Sequence, residues 1–230
     1  MRTRVTFAII VAAAIILPPT VASADVIVGS NNGNGCFPFG ACFEQQAGLE
    51  YQQVYTASAF SGPTTIGAIS FFDSESGALA SGTYQIFFYT TTKSVNGLSA
   101  NNTTGLSDNP GTQLSDFGTF SLSGPAPATL TLSGTPFVYD PSGGNLLMDV
   151  FPTSFTPTSS ASAFFETDLS GTSTSRAFFL NDGLVQADQA GLVTEFSAPA
   201  ATPLPATLPL FVTGLGGLGL LGWRRRTQAI

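Results

Sequence analysis

From Asp25 to about Ala201 the apolar positions recur every second residue, the period of a strand with one buried face. In "PATLTLS" Ala128, Leu130 and Leu132 fall on one face, and Thr129, Thr131 and Ser133 on the other. "GTYQIFFYTTT" groups Tyr84, Ile86 and Phe88 against Gln85, Phe87 and Tyr89. "NLLMDVF" turns Leu146, Met148 and Val150 inward and Asp149 outward. "YQQVYTASAF", "TTIGAISFFD", "FGTFSLS", "TPFVYD", "ASAFFET", "SRAFFLN" and "LVTEFSA" read as further strands, rich in the aromatic and β-branched residues that a pleated surface favours. Turn signals separate these runs at Asn96-Gly97, Asp108-Asn109-Pro110-Gly111, Ser133-Gly134, Asp140 to Gly144 and Asn181-Asp182-Gly183. The pattern predicts an all-β, antiparallel two-sheet sandwich, jelly-roll-like, over residues 25–201. Helical expectations are confined to the termini.

The first residues, "MRTRVTFAIIVAAAIILPPTVASADV", read as a signal peptide over 1–24. Arg2 and Arg4 make the basic region, Phe7 to Leu17 an apolar core too short to span a bilayer comfortably, and Ala22-Ser23-Ala24 a cleavage site. Cleavage after Ala24 leaves Asp25 as the first mature residue. Signal peptidase and the general secretion machinery are therefore expected partners. In an oxidising compartment the only two cysteines, Cys36 and Cys42, predict one disulfide closing a short loop.

From Ala206 to Trp223 the chain is uncharged and mostly apolar. As a helix rising ~1.5 Å per residue it would reach about 27 Å, enough for a thin bilayer. Arg224, Arg225 and Arg226 follow, and would stay cytoplasmic. With the signal peptide, this pattern predicts a body that is exported and then stopped in the membrane by its tail.

Charge removes several function classes. Charged residues make up only 9% of the chain, and between the termini two basic residues, Lys93 and Arg176, stand against fourteen acids. Such a body cannot neutralise a phosphate backbone, which excludes nucleic acid as a partner. Histidine is absent, so Ser-His-Asp and Cys-His catalysis and histidine-ligated metals are excluded. The carboxylate pairs Glu166/Asp168 and Asp73/Glu75 have a spacing that would suit a glycoside hydrolase, without a context that supports one. Calcium takes carboxylate and carbonyl oxygens, and Asp108, Asp116 and Asp140 are the candidate ligands. They lie in turn sequences that form without metal as well. For sugar stacking the body offers no tryptophan, leaving Tyr51, Tyr55, Tyr84, Tyr89 and Tyr139.

A Pro-x-Pro motif, one apolar helix and a terminal arginine cluster, in this order, resemble the PEP-CTERM sorting tail of Gram-negative bacteria. Pro203, Leu204, Pro205 and Ala206 match the VPLPA-CTERM variant, with Thr202 in place of its valine. The resemblance covers residues 202–230. It implies recognition and cleavage by an exosortase, an integral-membrane cysteine transpeptidase, and hence a product held only transiently in the inner membrane and then passed to the envelope or the extracellular space. "CFPFG", "PTTIGAISFF", "VNGLS", "GNLLMDV" and "LVTEF" also resemble exported PEP-CTERM proteins of uncharacterised function. The expectation is therefore a non-enzymatic surface or extracellular-matrix protein with no resident cofactor. One alternative is an exopolysaccharide-binding module, calcium-assisted or not. A carboxylate-dependent glycoside hydrolase is the second.

Overall fold

The computed structural model describes residues 25–40, 50–156, 161–180 and 183–200. The period-two runs form strands, and short strands not marked by that period join them. In chain order they are β1 (Val26–Val28), β2 (Gly33–Gly35), β3 (Tyr51–Tyr55), β4 (Thr64–Glu75), β5 (Ser81–Thr91), β6 (Gln113–Leu122) and β7 (Thr129–Tyr139). There follow β8 (Asn145–Thr156), β9 (Phe164–Asp168), β10 (Thr174–Phe179), β11 (Val185–Asp188), β12 (Gly191–Leu192) and β13 (Thr194–Ser197). One sheet holds β1-β13-β4-β9-β12, with β7 also on β4 and β2 also on β9. The other runs β11-β10-β3-β8-β5-β6. All strand pairs are antiparallel. The molecule is an all-β sandwich of two antiparallel sheets.

The alternation sorts side chains as the sequence requires. Leu130 and Leu132 are buried while Thr129, Thr131 and Ser133 are exposed. Tyr84, Ile86 and Phe88 from β5 meet Leu146, Met148 and Val150 from β8 in the core between the sheets. Phe88 anchors an aromatic cluster there. Its ring stacks on Phe137 at 4.9 Å and meets Phe117 edge-on at 5.2 Å, geometries that add to simple burial. Four of the five tyrosines are fully buried, and each hydroxyl has a partner. Tyr51 donates to Gln53 Oε1 (2.6 Å), Tyr84 to the Ala80 carbonyl (2.8 Å) and Tyr139 to the Gly144 carbonyl (2.7 Å), while Tyr55 pairs with Thr194 Oγ1 (2.9 Å). These four belong to the core and are removed from the set of sugar platforms. Gln53 pins the sheets together, donating to the Leu192 carbonyl (2.8 Å) and accepting from the Leu192 N–H (2.9 Å).

The pattern misplaced one boundary. Ser133-Gly134 reads as a turn between two strands, yet β7 runs unbroken from Thr129 to Tyr139. A register shift against β4 between Ile66 and Ala68 absorbs the irregular residues as a bulge. Gly134 serves a close approach there, since a Cβ would lie 2.2 Å from the Phe117 carbonyl oxygen of β6. Asn96-Gly97 turns as expected, with Asn96 at a φ of 62° and the Gly97 N–H on the Ser94 carbonyl.

A long connection from β5 to β6, residues 92–112, folds back over the outer face of the second sheet. Its Leu98 and Leu106 pack on Val54, Leu147, Ala177 and Val185 in a second, smaller apolar cluster. This cover explains why every residue of β3 is buried, the outward-facing Gln52 and Val54 included.

Cys36 is buried, and no cysteine among the described residues is free. Cys42, its expected partner, lies outside the described residues. So do the signal segment with Ala22 and Ala24, the motif Pro203 to Ala206, the apolar run to Trp223 and Arg224 to Arg226. Among the described residues no helix is long and apolar enough to cross a membrane.

Candidate functional site

Register places the site. Gln52 of β3 stands opposite Asp149 of β8, Asp149 opposite Phe87 of β5, and Phe87 opposite Asp116 of β6. These four form one row across the outer face of the second sheet. Odd-numbered β8 residues point outward, as the alternation predicts, yet Asp149 is only 2% exposed. Outward on this sheet means beneath a neighbour.

Asp149 is held in a polar knot. Gln52, fully buried, donates through Nε2 to Glu50 and to Asp149 Oδ2 (3.3 Å). Its Oε1 accepts from Asn109 Nδ2 (2.8 Å), which also reaches the Ser99 carbonyl (3.0 Å). Asn109 Oδ1 in turn accepts from the Ser99 N–H (2.6 Å), and the Asn109 carbonyl accepts from Thr91 Oγ1 (2.6 Å). The knot therefore joins β3, β8 and both arms of the cover.

The two carboxyls resist being ionised together. Burial pushes the Asp149 carboxyl up to about 9, helped by the charge of Glu50 and the hydrogen bond to it, and opposed by Gln52. Glu50 is raised too, by burial first, with hydrogen bonds from Asp149 and Gln52 opposing. Two acids in this position titrate as a pair that retains one proton near neutrality. We place it on Asp149, donating to Glu50. Asp149 Oδ1 is buried and accepts no hydrogen bond.

Beside the knot lies an aromatic strip. Tyr89, Phe87 and Phe151 are half-buried on the same outer face. Phe87 meets Phe151 edge-on at 5.9 Å and Tyr89 at 6.4 Å. Half-buried Gln85 and exposed Asp116 flank it. Burial raises the Tyr89 hydroxyl, and the charges of Asp149, Glu50 and Asp116 raise it further. The strip offers ring faces bordered by hydrogen-bonding groups, the combination by which a protein holds an uncharged polar ligand. The alternation along β5 puts Phe87 and Tyr89 on a common face, as the sequence predicts. Phe151 and the Glu50–Asp149 pair were not found, because only strand register brings them together.

The acids singled out in the sequence stand elsewhere. Asp168 is nearly fully buried. Burial pushes its carboxyl up, but hydrogen bonds from Ser170, Ser173 (Oγ, 2.6 Å) and the N–H groups of Ser170 (2.8 Å) and Ser30 (3.3 Å) outweigh this and hold it below the usual range. It closes a turn and is not free to pair with half-buried Glu166. Asp73 and Glu75 straddle a register shift between β4 and β9, and Glu75 accepts from Asn34 Nδ2 (2.5 Å). The calcium candidates are not gathered. Asp108 accepts from Thr104 within the cover (2.8 Å), Asp116 is exposed on β6, and Asp140 accepts from the Ser142 N–H (2.9 Å) at the β7–β8 turn. Among the described residues no three His, Cys, Asp or Glu side chains form a group that could hold a metal.

A second cluster has a structural assignment. Arg176 is gripped at two points by Asp188 (2.9 and 3.0 Å) and lies over the rings of Phe37 (5.4 Å) and Phe178 (5.1 Å). A recess of about 290 Å³ beside it is walled by Asn96, Leu98 and Gln189. A shallow groove of about 540 Å³, lined by Gly77, Ala78, Leu79, Gly124 and Pro125, carries no charged side chain. Comparisons of the chain with protein-family models, with curated proteins and with solved structures found no match.

Proposed function

We propose that this chain is an exported, non-enzymatic surface or extracellular-matrix protein of a Gram-negative bacterium. It leaves through the general secretion machinery, is held briefly in the inner membrane, and is processed by an exosortase near Pro203 to Ala206. The observation that supports a non-catalytic body is the use of its acids. Asp168 closes a turn, Asp140 caps one, and Asp149 is bound to Glu50. A glycosidase needs carboxyls about 5 Å apart or more, with room for a sugar or a water between them. Carboxyls in direct hydrogen bond leave no such room, and histidine is absent. The repeated crossing of the chain from one sheet to the other supports a jelly-roll-like topology. The apolar sequences of 1–24 and 206–223 support a helix at each end. Pulse-labelling in strains with and without the exosortase tests the reading. A longer, membrane-held form should accumulate only in the strain that lacks the enzyme. Identical products in both strains would overturn it.

A second reading, binding of a neutral exopolysaccharide, is favoured by the strip of Tyr89, Phe87 and Phe151. The scattering of Asp108, Asp116 and Asp140 supports a calcium-independent form of it. Calorimetric titration with matrix polysaccharide should show binding that survives a chelator. It should weaken about tenfold in Phe87→Ala, the order of one lost stacking contact. Equal binding by Phe87→Ala, or none by the parent protein, would reject the strip as the site.

A further inference from the structure

The connection 92–112 is long for a segment without regular structure, a length that in a compact domain calls for a purpose. Its attachments are of two kinds. Along most of its length they are insensitive to pH. Leu98 and Leu106 sit on the apolar cluster, the Asn96 N–H donates to Ser175 Oγ (2.8 Å), Asn96 Nδ2 donates to the Gly171 carbonyl (2.7 Å), and Asn102 Oδ1 accepts from the Val185 N–H (2.8 Å). Its return arm is different. Its backbone is bonded to β5, the Gly111 N–H donating to the Thr90 carbonyl (2.9 Å), the Thr112 carbonyl accepting from the Thr90 N–H (2.8 Å) and the Asn109 carbonyl accepting from Thr91 Oγ1 (2.6 Å). The Asn109 side chain, however, reaches past β5 to Gln52, and Gln52 is oriented by donating to both Glu50 and Asp149.

We propose that the proton shared by Glu50 and Asp149 is the latch of this cover, and that its loss frees the Asn109 side chain from Gln52 and loosens the cover around Ser99 and Asn109, while the bonds of the return arm to β5 remain. With the proton present, Gln52 is fixed, its Nε2 aimed at the carboxyls and its Oε1 at Asn109. Without it, two carboxylates in contact repel in a buried site. They are relieved only by separating or by admitting water. Either change disturbs Gln52, and with it the Gln52–Asn109 bond.

The surroundings do not buffer this repulsion. Tyr89 of β5 and Asp116 of β6 are the other titratable groups whose charges couple to this region, and neither is a cation. The cover's own charged groups are Lys93 at its base and Asp108 beside Asn109. Neither contributes to the shift of either carboxyl. Arg176 of β10 is engaged with Asp188 of β11. Loosening of the cover there would widen access to the aromatic strip, so the latch couples exposure of this face to alkalinity.

Amide hydrogen exchange of the full exported protein between pH 6 and pH 9 tests the inference. Protection of the Ser99 and Asn109 amides, corrected for the intrinsic rate, should fall by up to about tenfold per pH unit, as expected when opening releases one proton. Amides of β8 should retain higher protection throughout. Asp149→Asn, which keeps the shape and a donor to Glu50, should flatten the dependence. Glu50→Gln, which removes the repulsion, should shorten the pH range over which protection falls, and it serves equally if Asp149→Asn does not fold. Protection that is flat with pH in the parent protein would overturn the latch, as would a slope that both variants leave unchanged.

Discussion

Asp149 shows what a single outward-facing position can become. The sequence alternation puts it on the correct side of β8, but only the cover explains why it is buried and protonated. Its raised pKa has a sign that can be checked. The folded state holds a proton that the unfolded chain releases near pH 4, so this contribution to stability is complete below that pH. It is lost progressively as pH rises through the folded-state value of about 9. Unfolding free energy should therefore fall between about pH 5 and pH 9 with a slope approaching 1.4 kcal/mol per unit, the value for one proton. Asp149→Asn should remove most of that slope, leaving the variant the more stable protein at pH 8. Urea titrations across this range decide it. Equal slopes in both proteins would show that the pair does not retain its proton. Asp168, another acid buried in a strand, has the opposite shift because four hydrogen bonds surround it. Burial alone does not set the direction.

At the scale of elements, period two located the long strands well. β4, β5, β6, β8 and β13 fall where the alternating runs stand, because each buries one face in the same core. Two kinds of element were hidden. β1, β2 and β11 are too short for a period to be counted, and they form because neighbouring edges supply partners. The continuity of β7 was hidden for another reason. Ser133-Gly134 carries a turn signal, but the glycine is there to let β6 approach. Gly134→Ala should therefore destabilise the domain by about 2 kcal/mol, the order for overpacking a filled site, seen as a lower urea midpoint with an unchanged m-value. An unaffected midpoint would mean that β6 and β7 can part at no cost. The candidate site was half legible for the same reason. Phe87 and Tyr89 share a strand, whereas Glu50, Asp149 and Phe151 join them through register and a long connection, which no local pattern encodes.

At the scale of the molecule, composition and architecture agree. A body with fourteen acids, two basic residues and no histidine folds as a sandwich that commits its buried carboxyls to turns and to one another. Three aromatic side chains only half taken into the core, Phe87, Tyr89 and Phe151, gather on one sheet face. In the proposed function the two ends of the sequence would carry the signals for export and sorting, and the body would be the cargo they deliver. Intact-mass spectrometry of the mature protein from its native envelope tests that account most directly. The account predicts a chain that begins at Asp25 and ends before Arg224, lighter by two hydrogens for a Cys36–Cys42 disulfide. A mass that includes both the first residues and the terminal arginine cluster would contradict it.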